Sequence, residues 1–384
     1  MAKTLRIAWI TNNFTPYTSG VTQSLQALLP ALQALGHDIR IITLDFAAPA
    51  HTQDPSWVIR VPSVIRFHYQ GNPMALPWRS GAYVTRLLHE FDPDIVHSHH
   101  PFLLGIAALQ AARTLRKPLI FTYHTLYHDY AHRIPLLPTW LTRAIIHRQV
   151  TRYCNEVDRI IVPSSTLITT IGGQACADKI QVIPSGVRTA LVPAMQPCVR
   201  HDHFFLLVVS RFVPEKNLYF ILDAYAQLRE RKRYTLLLAG YGIQLHDLQQ
   251  YAYHTLGCTQ EQVQFIVRPD TATLAQLYAK AHIFLFSSCT DTQGIVLAEA
   301  MVHGVPVIAC HGPGQHDIVR HGDNGFLIDN PLQMAQSVER CYVDRQLYCQ
   351  LRERAWLTGH RYDPHVLAHD VVRVYQEAMR DEPF

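Results

Sequence analysis

Short runs rich in Val, Ile and Leu alternate with longer stretches of helical spacing along most of the chain, the pattern of buried parallel strands each followed by a covering helix. In the first half this predicts strands over 5–11, 38–43, 95–98, 118–123 and 159–162. Between the first two, Leu25, Leu28, Leu29, Leu32 and Leu35 recur at helical spacing and Gly36 closes the run as a C-terminal cap, giving one βαβ unit. Pro30 inside that helix predicts a kink.

The alternation stops over residues 183–202, where Pro184, Pro193 and Pro197 punctuate a stretch without period, and this reads as an interdomain linker. It restarts with strands over 204–210, 234–239, 263–266, 283–286 and 305–309, and residues 332–379 are nearly all helical. The expected fold class is therefore α/β, with two Rossmann-like, doubly wound parallel-sheet domains facing a cleft. Their boundaries are 1–190 and 191–360, and a C-terminal helix over 361–384 is free to cap the second domain or cross back to the first. Open α/β sheets bind ligands beyond the carboxyl ends of their strands. That selects the loops 12–20, 97–101, 123–130, 211–216, 240–242, 287–294 and 310–315.

Composition narrows the function classes. With 48% hydrophobic and 17% charged residues the chain is folded, and a net charge of +4 is too small for a wholly basic nucleic-acid binder. No apolar run approaches the roughly 18 residues of a membrane span, and the N-terminus lacks a signal-peptide pattern, so a cytoplasmic location is expected. Eight scattered cysteines without a C-x-x-C pair predict neither a disulfide framework nor a zinc knuckle. The 23 histidines suggest no function by number alone.

Two loops carry candidate chemistry. In SSCTDTQGIVLAEAM a polar loop leads into a helix beginning near Gly294, so the main chain of Gly294, Ile295 and Val296 is placed to hold a phosphate at a helix N-terminus. Asp291 lies just ahead of that helix and Glu299 eight positions later, set to meet the two ends of one ligand or, alternatively, to serve only as a dipole partner and a solvated helix residue. In SRFVPEKN, Arg211 and Lys216 share one loop, a forked guanidinium and a point-charge ammonium suited to a diphosphate. Gly240 opens a third loop, Gly240-Tyr241-Gly242.

These segments resemble glycosyltransferase family 4, whose architecture is GT-B, over nearly the whole chain. The matching motifs are the pair Asp291 and Glu299, the pair Arg211 and Lys216, the loop NNFTPYTSGVTQS with Gly20, and TYHTLYHDY with His124. The resemblance implies that Glu299 holds the ribose and Asp291 the donor sugar hydroxyls, that Arg211 and Lys216 neutralise the diphosphate, that Gly20 leaves space beside it, and that His124 binds near the transferred sugar. It implies retaining transfer of a hexose from a UDP- or GDP-sugar without a required cofactor or divalent metal. Two departures stand out: the first carboxylate is usually Glu, not Asp291, and 265–270 (FIVRPD) replaces a Gly-containing turn beside the nucleobase.

The acceptor side is expected in the first domain. Residues 61–80, with Tyr69, and the segment with Tyr123 and Tyr127 are similar to the corresponding regions of bacterial diacylglycerol glucosyl- and mannosyltransferases. Over 136–152, Trp140, Leu141, Ala144 and Ile145 share a helical face, with Arg143, His147, Arg148 and Arg152 largely elsewhere, which suits either an anionic membrane surface or ordinary core packing. The expected partners are a nucleotide sugar and a hydroxyl acceptor of lipid type, with no nucleic acid. Asp92-Pro93-Asp94 precedes a strand and reads as structural, and His97, His99 and His100 lack the partners of a metal site. No G-x-G-x-x-G follows the first strand, against a dinucleotide oxidoreductase. A degenerate relative that binds nucleotide or a partner without turnover stays open, as does a hydrolase or epimerase of the same two-domain shape.

Overall fold

The computed structural model describes residues 3–15, 19–46, 54–69, 72–125, 127, 138–172, 177–187, 195, 198–199, 201–288, 291 and 293–381. The chain divides into two compact units, one formed by 1–186 with 364–384 and the other by 187–363.

In the first unit the order is β1 (Arg6–Thr11), α1 (Gly20–Ala34), β2 (Asp38–Leu44), β3 (Val58–Val61), β4 (Ser63–Tyr69), β5 (Asn72–Pro77), α2 (Ser80–Phe91), β6 (Ile95–Ser98), α3 (Leu104–Leu115), β7 (Leu119–Thr122), α4 (Thr139–Glu156), β8 (Arg159–Val162), α5 (Thr166–Gly172) and β9 (Ile180–Val182). Seven strands pair in parallel as β3-β2-β1-β6-β7-β8-β9, while β4 and β5 form a separate antiparallel ribbon. Alternation along β1 explains the two covered faces. Ala8 and Ile10 enter one core with residues of α2, α3 and α4, and Ile7 and Trp9 enter the other with Leu25 and Leu29 of α1. Ser19 caps α1 by accepting the Thr22 N–H at 3.2 Å, and Gly36 follows its end at φ 85°. Helix α1 runs through Pro30, which lies on its exposed side.

The second unit contains β10 (Phe204–Arg211), α6 (Leu218–Ala226), β11 (Tyr234–Tyr241), α7 (Leu245–Gln250), β12 (Val263–Val267), α8 (Thr271–Lys280), β13 (Ile283–Phe286), α9 (Ile295–Val302), β14 (Val307–Cys310), α10 (Gln315–Ile318), β15 (Gly325–Ile328), α11 (Pro331–Val343) and α12 (Arg345–Gly359). Its parallel order is β12-β11-β10-β13-β14-β15.

The chain then returns to the first unit as α13 (Pro364–Arg380), laying Leu367, Val371, Val372 and Tyr375 into the core that holds Trp9. At about 2 kcal/mol for each such side chain, this face contributes on the order of 8 kcal/mol before ordering entropy is subtracted. Trp9 Nε1 donates to Tyr375 Oη at 3.1 Å, fixing the last helix to the first strand.

A disulfide is present although the cysteine spacing indicates no disulfide framework. Cys198 and Cys349 are bonded across a separation of 151 residues, because α12 returns beside the start of the second unit. No local spacing could announce that pair. Cys154, Cys258, Cys310 and Cys341 are free and buried, and Cys176 and Cys289 lie outside the described residues.

Candidate functional site

In the second unit, β10 and β13 are neighbours whose connections diverge, so the loops after them meet at the switch point of the sheet. Residues Pro214–Lys216 form a tight turn after β10, and Asn217, at φ 49°, leads into α6. Two serines at the end of β13 hold that turn. Ser287 Oγ lies 2.7 Å from the Lys216 carbonyl and 2.9 Å from that of Asn217, and Ser288 Oγ donates to the Glu215 carbonyl at 3.2 Å. Lys216 Nζ is thereby delivered to Asp291, 2.7 Å from Oδ1 and 2.6 Å from Oδ2. The Lys216 and Asp291 side chains are only 16% and 25% exposed, so the pair is weakly screened by solvent. Arg211 ends β10 on the exposed side, and its guanidinium makes no hydrogen bond or ion pair among the described residues.

Beyond Asp291, Gly294 adopts φ 67° and starts α9, turning the amides of Ile295 and Val296 to the carboxyl end of the sheet. One turn further, Glu299 Oε2 accepts a hydrogen bond of 2.7 Å from Tyr278 Oη. The Tyr278 ring is stacked between Phe284 and His303, and burial, with the Glu299 charge adding to it, raises its hydroxyl pKa, keeping it a donor. Gly240, next to last in β11, sits where a Cβ would stand 1.7 Å from the Ser210 carbonyl oxygen, so close approach of two backbones requires glycine there. In the FIVRPD segment the left-handed turn is made by Arg268, at φ 50°, whose N–H donates to the Gly240 carbonyl at 2.9 Å, and Asp270 caps α8.

In the first unit the switch point lies between β1 and β6. Gly20 opens α1, and a Cβ there would meet no described atom within 4 Å. His97 lies within β6, His99 and His100 follow it, and His124 follows β7. Both His97 nitrogens are engaged, Nδ1 with Tyr375 Oη and Nε2 with Thr122 Oγ1, each at 2.7 Å. Nδ1 of His100 accepts the Asn12 N–H at 3.2 Å. His99 Nδ1 lies 3.1 Å from His124 Nε2. Burial drives the pKa of His97 and His124 down to about 3 and that of His100 to about 4, and His99 moves the same way. The four imidazoles are neutral near pH 7.

Tyr123 is fully buried, with Tyr127 edge-on against it and against Phe102, so the two rings wall the loop that carries His124. Tyr69 lies in β4, and its side chain is outside the described residues. Asp92 and Asp94 are structural: Lys117 holds Asp92 at 2.7 Å, and Asp94 accepts the Arg6 N–H at 2.9 Å. No cluster of three or more His, Cys, Asp or Glu suited to a metal occurs among the described residues.

Residues 18–191 match the profile of Glycosyltransferase Family 4, and residues 196–356 match that of Glycosyl transferases group 1. The chain belongs to glycosyltransferase family 4. This glycosyltransferase is 29% identical to an alpha-monoglucosyldiacylglycerol synthase of Streptococcus pneumoniae, over 82% of its own length and 73% of the relative's. It is 28% identical to a GDP-mannose-dependent alpha-mannosyltransferase of Corynebacterium glutamicum, over 85% and 77% of the two chains. Its GT-B fold is shared with Anabaena Alr3699/HepE, solved in complex with UDP-glucose, at a TM-score of 0.73 and 18% identity over 97% of this chain and 100% of that one. WaaG, a glycosyltransferase involved in lipopolysaccharide biosynthesis, superposes with a TM-score of 0.69 at 17% identity, over 96% and 99%.

Sequence reasoning missed Tyr278 and Ser287 and weighed His99 only as a metal ligand, whereas all three touch singled-out residues and set their positions. Ser287 stood in a selected loop and was readable as polar residues ending a buried strand. Tyr278 is 21 positions from Glu299 and gave no local signal.

Proposed function

We propose that this glycosyltransferase moves a hexose, with retention at the anomeric carbon, from a UDP- or GDP-sugar to a hydroxyl of diacylglycerol or a related glycolipid precursor. The observation that carries the donor reading is the clamping of Lys216 onto Asp291 beside the N-terminus of α9, with Glu299 one turn on. A diphosphate brought to Lys216 finds an ammonium already oriented, with the α9 amides beside it and Arg211 at the other end of the loop. As the bond from sugar to diphosphate breaks, the electron pair goes to the phosphate oxygen. These cations stabilise it, and it accepts the proton of the incoming hydroxyl as the new bond forms on the same face. Asp291 is left to hold the sugar hydroxyls and Glu299, oriented by Tyr278, the ribose. His124 meets the transferred sugar.

The lipid acceptor rests on the relatives that carry diacylglycerol in their names and on two exposed apolar surfaces of the first unit. The core side of α4 is formed by Thr142, Ile146, Val150 and Tyr153, while of the stripe Trp140, Leu141, Ala144 and Ile145 only Leu141 is half-buried and the other three are exposed. Trp140 is 72% exposed, on a helix that also presents Arg143, Arg148 and Arg152, and residues 136 and 137 are outside the described residues. On the β4–β5 ribbon the register places Ile65 beside Leu76 and Phe67 beside Met74, all four exposed. Among the described residues no helix is long and apolar enough to cross a membrane, so the contact we propose is peripheral.

The test is transfer from UDP-glucose, UDP-galactose and GDP-mannose to diacylglycerol in anionic vesicles, with the product anomer read by NMR. An α-glycoside that disappears in Lys216→Ala and Glu299→Ala is expected. Full activity in both variants, or a β-product, refutes the site or the retention. Sedimentation with the same vesicles should fall on Trp140→Asp, and equal binding by that variant removes the α4 surface. Nucleotide binding without any transfer would favour the degenerate alternative.

A further inference from the structure

The sequence offers no role for His99, and the fold gives it an unusual one. It is 2% exposed, packed edge-on against Trp9 with ring centroids 5.5 Å apart and tilted against His97 with centroids 4.2 Å apart. Its only described polar contact through the ring is with His124, and its Nε2 is buried with no hydrogen-bond partner. The main chain at this point is fixed by the His99 N–H donating to the Ile10 carbonyl at 2.9 Å. The ring therefore sits on rigid elements, the ends of β1 and β6, and points at a half-buried histidine on the loop after β7.

Two neutral imidazoles at 3.1 Å share one proton along the line from His99 Nδ1 to His124 Nε2. If His124 supplied it, His99 would carry its own proton on Nε2, an N–H buried without an acceptor. If His99 supplies it, Nε2 is a bare lone pair, and a buried acceptor lacking a donor is the more readily tolerated of the two. We infer that His99 is a positioning residue, whose Nδ1–H locks His124 in orientation and in the tautomer protonated at Nδ1, so that His124 offers its ligand a hydrogen-bond donor. The inference rests on the transferase reading insofar as that ligand is the donor sugar. Neither histidine acts as a proton shuttle in this arrangement. His97, held by Tyr375 and Thr122, backs His99 as packing.

Two measurements test the pair. Long-range proton–nitrogen NMR of the full chain labelled at histidine, with His124 assigned by its loss in His124→Ala, should show His124 protonated at Nδ1 and bare at Nε2 at pH 7. In His99→Leu the same signals should move to a mixture of tautomers, and in His99→Asn, whose amide reaches the Nδ1 position, they should stay. A His124 protonated at Nε2, or one unaffected by His99→Leu, overturns the inference whether or not the protein transfers sugar. In the transfer assay, His99→Leu should lower kcat/KM at least about 30-fold with the affinity for the nucleotide alone unchanged. His99→Asn should remain within about 3-fold of the parent, and His99→Leu should cost nothing further in a His124→Ala background. Multiplicative losses in the double variant would mean that His99 does not act through His124. Absence of transfer by the parent chain would count against the proposed function, while the tautomer of His124 would still decide the role of His99.

Discussion

Acidification should destabilise this protein chiefly through the neutral histidines of its first unit. Burial pushes the pKa of His97, His100 and His124 to about 3, 4 and 3, and lowers that of His99 as well. In the unfolded chain each imidazole titrates near ~6.5. Between pH 7.5 and 5.5 the unfolded chain takes up nearly one proton per site and the folded chain almost none, so stability is complete above the unfolded value and drains away as pH falls toward the folded ones. One such imidazole changes the unfolding free energy by about 1.4 kcal/mol across that window. The three together account for about 4 kcal/mol, a large part of the roughly 5–15 kcal/mol that stabilises a typical domain, and His99 adds in the same direction. Most carboxylates titrate below this window and leave it uncluttered. In the second unit burial depresses His282 to about 3 and lowers His201 and His303 too, and His37 adds to the first unit, so the first unit holds more of the depressed imidazoles and is the more sensitive. The assay is urea unfolding at pH 7.5, 6.5 and 5.5, followed by tryptophan emission and by circular dichroism. Unfolding free energy should fall by at least about 4 kcal/mol from the first to the last, and His97→Gln should reduce the fall by about 1.4 kcal/mol whatever its effect at pH 7.5. A fall below about 1 kcal/mol, or an unchanged dependence in the variant, would refute the reasoning.

Tyr278→Phe keeps the ring between Phe284 and His303 but removes the donor to Glu299, so nucleotide affinity should drop about 10-fold in calorimetry with little change in melting temperature. Gly240→Ala places a methyl 1.7 Å from the Ser210 carbonyl oxygen and should destabilise the second unit by more than about 2 kcal/mol in thermal denaturation. Reducing the bond between Cys198 and Cys349, or replacing Cys198 with Ser, should cost about 2–4 kcal/mol in urea unfolding, because the cross-link limits the unfolded ensemble of a 151-residue loop. Identical curves with and without reductant would show that the bridge does not form in solution.

Much of this architecture is written in one-dimensional pattern. Strands covered on both faces are apolar at most positions, so β1, β2, β6, β8, β10 and β13 stand out as Val/Ile/Leu-rich runs with ends close to those observed. The loops after them follow from chain direction alone, which is why the positions of Gly20, His124, Arg211, Lys216, Asp291 and Gly294 at strand ends were legible. Edge and half-covered strands escaped. β3, β9 and β15 lie at the edges of their sheets, and the alternating β4–β5 ribbon exposes the apolar face that a buried-strand pattern leads one to place inside. Sequence likewise left open where the last helix packs, and the α13 side chains around Tyr375 answer it by fitting the core beside Trp9.

What the sequence by itself determined is therefore the alternation of elements and the set of loops at which chemistry is possible. Which groups meet in those loops was decided by tertiary structure. Lys216 reaches Asp291 across 75 residues because β10 and β13 are neighbours in the sheet, and His99 reaches His124 across 25 because β6 and β7 are. Glu299 is oriented by a tyrosine on the preceding helix, and Cys198 is bonded to a partner 151 positions away. The physical reason is common to all four. Local propensity acts over a turn or a strand, whereas the pairing of side chains is set by strand order and by which face of each helix is buried, and these are properties of the whole folded chain.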